Sequence, residues 1–133
     1  MSNQIREILD LCIECLQSRK GEDLLLIDLR TVSDVADYFL ICTGNSDVHV
    51  RALADGLQEG TKAAGYRPWH IEGQESRTWV LFDYIDVVVH IFQPKARAFY
   101  RLERLWGDAP SERIEEDPSL AETSSVERPA NLS

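Results

Sequence analysis

Residues 78–92 read TWVLFDYIDVVVHIF. Thr78–Asp83 and Asp86–Phe92 are rich in β-branched and aromatic residues, which favours two strands. Only Tyr84 and Ile85 separate them, so we expect the two strands to pair as a hairpin. Neither residue tolerates a positive φ well, so we expect a loose turn capped by Asp83 rather than a tight primed turn.

Three further strands are predicted before the hairpin. Leu24–Leu29 and Tyr38–Thr43 are continuous apolar runs, which is typical of strands buried on both faces. Arg67–Glu72 is a weaker candidate that contains Pro68, so we expect it at an edge of the sheet.

Three helices are predicted around these strands. The three-four spacing of apolar residues indicates helices over 3–19 and 47–64. A third helix is expected from Pro94 to Trp106, and its buried stripe would contain Ala98, Phe99, Leu102, Leu105 and Trp106. The order α-β-β-α-β-β-β-α predicts an α/β fold with a mixed five-stranded sheet flanked by helices.

The C-terminal segment differs in composition from the rest of the chain. Residues 107–133 hold three of the five prolines, no aromatic residue, and seven acidic residues against two arginines. Such a segment cannot bury enough apolar surface to offset its chain entropy. We therefore predict one folded domain over 1–106 and a disordered acidic tail over 107–133.

Charge and composition restrict the class of partner. The net charge is −9, and the predicted domain remains acidic without the tail, which argues against generic attraction to nucleic-acid phosphate. A local basic patch or a basic protein partner stays open. No apolar run approaches the roughly 20 residues of a membrane span, and residues 1–12 resemble neither a signal nor a transit peptide. The three cysteines fit free buried thiols in a reducing compartment, so we expect a cytoplasmic protein.

Three short motifs suggest chemistry, but each has a simpler explanation. Cys12-Ile-Glu-Cys15 has redox or zinc spacing, yet it lies inside a predicted helix rather than at a helix N-terminus, so core packing is favoured. Gly44-Asn45-Ser46 follows a strand and suggests the start of a nucleotidyltransferase site, which also needs paired carboxylates to hold magnesium. Residues 68–73, PWHIEG, supply one carboxylate, so helix capping is favoured and the magnesium-nucleotide enzyme is the alternative function.

Asp83, Asp86 and His90 form the third motif. Aspartates that flank a turn commonly make local hydrogen bonds, and two carboxylates with one histidine are an incomplete ligand set. His90 is either a satisfied polar group or part of an exposed face. We expect no metal, no cofactor and no catalytic residue.

A recognition surface is the remaining candidate. Alternation places Trp79, Leu81 and Asp83 on one face of the hairpin with His90 and Phe92. Arg97, Tyr100, Arg101 and Arg104 lie outside the apolar stripe of the last predicted helix. Aromatic and arginine residues together are typical of binding hot spots. Spacing alone leaves open that Trp79 and Phe92 belong to the core.

Three stretches resemble one known family. They are DVADYFLICTG (34–44), WVLFDYIDVVVHIF (79–92) and RAFYRLERLW (97–106), and together they resemble the ribosomal silencing factors, also called RsfS or Iojap-like proteins. The resemblance covers about residues 3–107 and leaves the acidic tail outside. Many members carry glycine where this chain has Ile85.

The resemblance implies a fold, a partner and a mode of action. The implied fold is nucleotidyltransferase-like without the catalytic acidic pair. The implied partner is the large ribosomal subunit, bound through ribosomal protein L-fourteen so that subunit joining is blocked and translation falls. Free members often form homodimers. The implied partner-binding residues are Trp79, Asp83, His90, Arg97, Tyr100, Glu103 and Arg104.

Overall fold

The computed structural model describes residues 3–115. Its elements are α1 (Asn3–Ser18), β1 (Glu22–Asp28), β2 (Tyr38–Thr43), α2 (Asp47–Ala63), β3 (His70–Glu72), β4 (Trp79–Asp83), β5 (Val87–Phe92), α3 (Pro94–Tyr100), α4 (Leu102–Leu105) and β6 (Ser111–Arg113). The strands form one sheet in the order β3-β4-β5-β2-β1-β6. Within 3–115, no helix is long and apolar enough to cross a membrane.

The strand pairing confirms the mixed α/β class. β2 and β5 are parallel, and the other described pairs are antiparallel. β4 and β5 form the predicted hairpin, with Trp79 opposite Phe92 and Asp83 opposite Val88. The strand that follows Pro68 lies at the edge of the sheet, as the proline predicts.

Each face of the sheet has its own apolar core. α1 and α2 cover one face and contribute Leu9, Leu16, Leu53 and Leu57, all fully buried. The second face is covered by α4 and the segment after it, where Leu102 and Ala109 pack over the sheet. The sheet residues of this second core include Leu25, Ile27, Phe39, Ile41, Val88 and Phe92. Because both faces are covered, β1 and β2 read as continuous apolar runs.

The prediction of five strands is wrong, because β6 adds a sixth. Ser111–Arg113 pairs antiparallel with β1, and Ala109 just before it is buried. The outer edge of β1 offers backbone donors and acceptors that need partners, and a short polar strand can satisfy them. The folded chain therefore extends past the predicted boundary at Trp106. The rest of the predicted tail, 116–133, lies outside the described residues.

The prediction of one helix over 94–106 is also wrong. Arg101 adopts a left-handed conformation with φ of 49° and separates α3 from α4. The helical periodicity restarts there, so residues expected on one buried stripe point in different directions. Leu102 is buried, whereas Phe99 is 79% and Leu105 is 70% exposed.

The hairpin turn is tighter than predicted. Asp83 Oδ1 accepts a hydrogen bond from Ile85 N at 2.8 Å, which confirms the predicted cap. Ile85 nevertheless has a φ of 76°, and Asp86 N donates to Tyr84 O at 3.0 Å. Tyr84 is buried, and its hydroxyl lies 2.9 Å from Thr61 Oγ1. Because the side chain of Tyr84 is held in the core, the backbone reverses direction at the next residue, Ile85.

Candidate functional site

Trp79 is the centre of an aromatic cluster on the second face of the sheet. Its ring centroid lies 4.8 Å from that of Phe92 and 4.7 Å from that of Tyr100. Phe92 is fully buried and Trp79 is half-buried, whereas Tyr100 is 50% exposed. Phe99 meets Tyr100 edge to face at 5.0 Å. We call Trp79, Phe99 and Tyr100 the aromatic surface.

His90 lies beneath the aromatic surface rather than on it. The side chain is 3% exposed, and its Nδ1 accepts a hydrogen bond from Trp79 Nε1 at 3.1 Å. Its ring also contacts Phe39 edge to face at 4.5 Å. Burial lowers the pKa of His90 to about 4, because an imidazolium there would lose its hydration. His90 is therefore neutral near pH 7 and orients the indole of Trp79.

Arg97 braces α3 against the sheet. One guanidinium nitrogen, Nη1, donates to Asp23 O and to Thr43 Oγ1, both at 2.7 Å. Its Nε donates to Glu103 Oε2 at 3.1 Å. Only 11% of the Arg97 side chain is exposed. Arg97 therefore pairs with Glu103 and fixes α3, the helix that carries Phe99 and Tyr100, against the sheet.

An open groove lies beside this brace. Its volume is about 580 Å³, and it is lined by Glu22, Asp23, Thr43, Pro94, Arg97, Ala98, Arg101, Glu103 and Arg104. We call it the arginine groove. Arg104 is exposed, and among the described residues neither Arg101 nor Arg104 has a carboxylate partner. α3 separates the arginine groove from the aromatic surface.

Asp83 lies at the other end of β4 from Trp79. Four residues along a strand correspond to about 13 Å. Its carboxylate caps the hairpin turn, and its carbonyl accepts from Trp69 N at 2.7 Å. Of the seven candidate residues, Trp79 touches Tyr100 and donates to His90, whereas Arg97, Glu103 and Arg104 line one groove. Asp83 stands apart from both groups.

Sequence reasoning missed Phe99 and Leu105 as surface residues, because it placed both on the buried stripe of one long helix. Both are exposed, because the break at Arg101 ends that stripe. The left-handed residue carries no sequence signal, since arginine is an ordinary helix former.

The other motifs have structural roles. Ser46 caps α2, and its side chain accepts from His49 N at 3.1 Å. This contact confirms helix capping for Gly44-Asn45-Ser46. Cys12 and Cys15 are free and buried, and burial raises the pKa of each thiol. Across residues 3–115, no three His, Cys, Asp or Glu side chains are grouped to hold a metal ion.

Comparisons with known proteins show which family the chain resembles and agree with the fold described above. The model of a family described as ribosomal silencing factor during starvation, RsfS, matches residues 2–132, which extends beyond the predicted resemblance of 3–107. The chain is 43% identical to the ribosomal silencing factor RsfS of Halalkalibacterium halodurans over 115 residues, covering 86% of this chain and 97% of the relative. It is 43% identical to RsfS of Bacillus subtilis over 105 residues, covering 79% and 89%. A crystal structure from Chromobacterium violaceum has a TM-score of 0.75 at 40% identity, covering 80% of this chain and 88% of that one.

Proposed function

The chain belongs to the ribosomal silencing factor family, and on that premise we propose that it binds ribosomal protein L-fourteen on the large subunit and blocks subunit joining. The blocking is steric: the folded body occupies the place where the small subunit must dock. No covalent step is involved, and no cofactor is needed.

The observation that supports this proposal most is the aromatic surface. Phe99 and Tyr100 are exposed on a seven-residue helix that the buried Arg97 brace holds against the sheet. Exposed aromatic rings on a rigid base are typical of binding hot spots, because little side-chain entropy is lost on binding. A monomer would otherwise leave this apolar area in water.

The candidate residues divide into contact and support roles. We propose that Trp79 and Tyr100 bury aromatic area against the partner and that Arg104 donates to carbonyl or carboxylate oxygens. Asp83 would meet a lysine or arginine of a basic ribosomal protein. His90, Arg97 and Glu103 act through the residues they position, since their polar groups already bond within the chain or are buried.

A subunit-joining assay tests the proposal. Purified full-length chain is mixed with separated large and small subunits, and the joined ribosomes are measured on a sucrose gradient. We expect joined ribosomes to fall as the chain saturates the large subunit. Unchanged joining at saturating concentrations would refute the steric mechanism.

Tyr100→Ala tests the aromatic surface itself. The variant should weaken binding to the large subunit by about 1–3 kcal/mol if this ring is a hot spot. Val48→Ala is the matched control, because Val48 is exposed near the start of α2, on the face of the sheet opposite the aromatic surface. Equal affinities for the two variants would remove Tyr100 from the contact residues.

The rival function is a nucleotidyltransferase-like enzyme. In the structure, Ser46 and Asn45 of the suspected nucleotide motif already bond to His49, and Asn45 also bonds to Glu22. Magnesium-dependent turnover of a nucleoside triphosphate by the purified chain would favour the enzyme over the steric factor.

We also propose that the free chain is a homodimer and that it acts in the cytoplasm, as the resemblance to the family implies. Light scattering coupled to size-exclusion chromatography tests the dimer. A mass of one chain at micromolar concentrations would contradict it.

A further inference from the structure

Most of the basic residues that have no carboxylate partner in the described part of this acidic chain line one of two grooves. Within 3–115, the basic residues without such a partner are Lys20, Lys62, Arg67, Lys95, Arg101 and Arg104. Arg101 and Arg104 lie in the arginine groove. Lys62 and Arg67 lie together in a different groove, behind the edge strand β3.

This second groove is built around an exposed tryptophan. It has a volume of about 410 Å³ and is lined by Gln58, Lys62, Tyr66, Arg67, Pro68, Trp69, His70 and Ile71. We call it the tryptophan groove. Trp69 is 72% exposed, yet its backbone N donates to Asp83 O at 2.7 Å and continues the pairing of β3 with β4. The indole is therefore attached to rigid backbone while its ring stays open to solvent.

Two carboxylates make hydrogen bonds to residues that line this groove. Glu7 accepts a hydrogen bond from the Tyr66 hydroxyl at 2.8 Å, and Glu72 lies 2.6 Å from His70 Nε2. Neither Lys62 nor Arg67 has a carboxylate partner among the described residues, so both side chains are available to a ligand. A flat aromatic ring that shares a groove with two unpaired cations fits a ligand with a planar group and negative charge.

We propose that the tryptophan groove binds a single-stranded segment of ribosomal RNA, with one base stacked on Trp69 and the backbone phosphates on Lys62 and Arg67. Base stacking on an aromatic ring beside cations is the common way to bind single strands without sequence preference. The inference rests on the proposed function, because the large subunit supplies the RNA.

The position of the groove supports this assignment. Asp83, a candidate contact residue, accepts a hydrogen bond from Trp69 N. Trp69 therefore lies beside Asp83 at the β3–β4 edge, so a chain that contacts a ribosomal protein through Asp83 would place Trp69 at the rim of that contact, where RNA can reach it. A basic protein is a poor ligand for Lys62 and Arg67 because like charges repel.

A direct binding experiment tests the groove with RNA alone. Fluorescence anisotropy of a labelled twelve-residue oligouridylate would be followed with the full-length chain, Trp69→Ala and the double variant Lys62→Gln/Arg67→Gln. Trp69→Ala should lose about ten-fold in affinity. The double variant should also lower the slope of log affinity against log salt by about 1.4, the value for two phosphate contacts on a single strand.

Two controls make the result specific. Lys20→Gln/Arg51→Gln removes the same charge from exposed positions outside the groove and should leave the affinity within two-fold of the native value. An oligoglutamate peptide tests for an acidic protein as the ligand. No RNA binding by the native chain, equal losses in the control variant, or tighter binding of the peptide than of RNA would each overturn the proposal.

A second arm uses the large subunit and separates this inference from the proposed function. Trp69→Ala should bind intact large subunits several-fold more weakly, while its affinity for isolated L-fourteen stays unchanged. Ultraviolet cross-linking in the complex should attach a nucleotide to the tryptic peptide 63–77, which contains Trp69. Cross-links only elsewhere would overturn the groove. If the native chain bound oligouridylate through Trp69 but not large subunits, the proposed function would fail and the RNA groove would stand.

Discussion

His90 shows how burial changes the role of a residue that looks functional in the sequence. Alternation places it on the face of Trp79, and the resemblance assigns it to a partner surface. In the structure it is buried and bonded to Trp79 Nε1, so its effect on binding must pass through the indole. Desolvation keeps its pKa near 4, against about 6.5 in an unfolded chain.

The buried His90 predicts a pH-dependent stability. Between pH 6.5 and pH 4 the unfolded chain binds a proton at this residue and the folded chain does not, so acidification favours unfolding. The stabilisation is complete above pH 6.5 and is lost as the pH falls towards 4. From pH 7 to pH 5 we expect a loss of about 2 kcal/mol, measured by urea unfolding. His90→Asn should remove this part of the pH dependence, and an unchanged slope in that variant would contradict the assignment.

Ile85 is a second residue whose position in the fold determines its effect on stability. A β-branched side chain at a φ of 76° is strained by about 1–3 kcal/mol. Ile85→Gly should relieve that strain and raise the free energy of unfolding by about 1 kcal/mol, after the entropy cost of glycine. Ile85→Ala is the control, since it removes the side chain but keeps the Cβ. A gain with alanine as large as that with glycine would point to the side chain instead of the backbone.

At the scale of elements, α3 is positioned by hydrogen bonds, whereas α1 and α2 are positioned by close packing. α3 ends where Arg101 turns left-handed, and α3 is held against the sheet by the bonds from Arg97 to Asp23 O and Thr43 Oγ1. The contact between α1 and α2 depends on two glycines of α2. A Cβ at Gly56 would lie 2.8 Å from Arg19 Cγ, and one at Gly60 would overlap Cys15 Sγ. These glycines let α2 approach α1.

Gly60 provides a test of that close approach. Gly60→Ala should destabilise the chain by about 1–3 kcal/mol through overpacking, although alanine is the better helix former. In a Cys15→Ala background the obstacle is gone, so the same substitution should be neutral or stabilising by up to about 1 kcal/mol. Urea unfolding of the four chains gives the coupling. Additive effects would show that the two residues do not interact.

At the scale of the whole molecule, β6 completes the sheet. β1 would otherwise be an edge strand with a long apolar sequence, which invites pairing with another chain. β6 covers it with exposed polar side chains, and Ile114 N adds a hydrogen bond to Leu24 O at 2.9 Å. The described chain thus has β3 and β6 as its outer strands.

Truncation tests the contribution of β6. A chain that ends at Pro110 should lose about 1–3 kcal/mol of stability relative to the full chain, since each lost hydrogen bond contributes about 0.5–1.5 kcal/mol. It should also self-associate through β1. A chain that ends at Glu115 keeps β6 and is the control. Equal unfolding midpoints and equal masses in solution for the two truncations would show that β6 contributes nothing.

The sequence by itself determined the fold class, the hairpin, the buried strands and the capping of α2. These features depend on local patterns, namely apolar periodicity, turn residues and a serine before a helix, which act within a few residues of the chain. The three matching stretches of sequence also identified the family.

Only the tertiary structure decided how α3 is held against the sheet, that 111–113 form a strand, and which candidate residues reach the surface. Each of these depends on partners far along the chain: Arg97 on Asp23 and Thr43, β6 on β1, and His90 on Trp79 and Phe39. A residue's own type and spacing contain no record of such partners. Burial and backbone pairing are set by the fold as a whole.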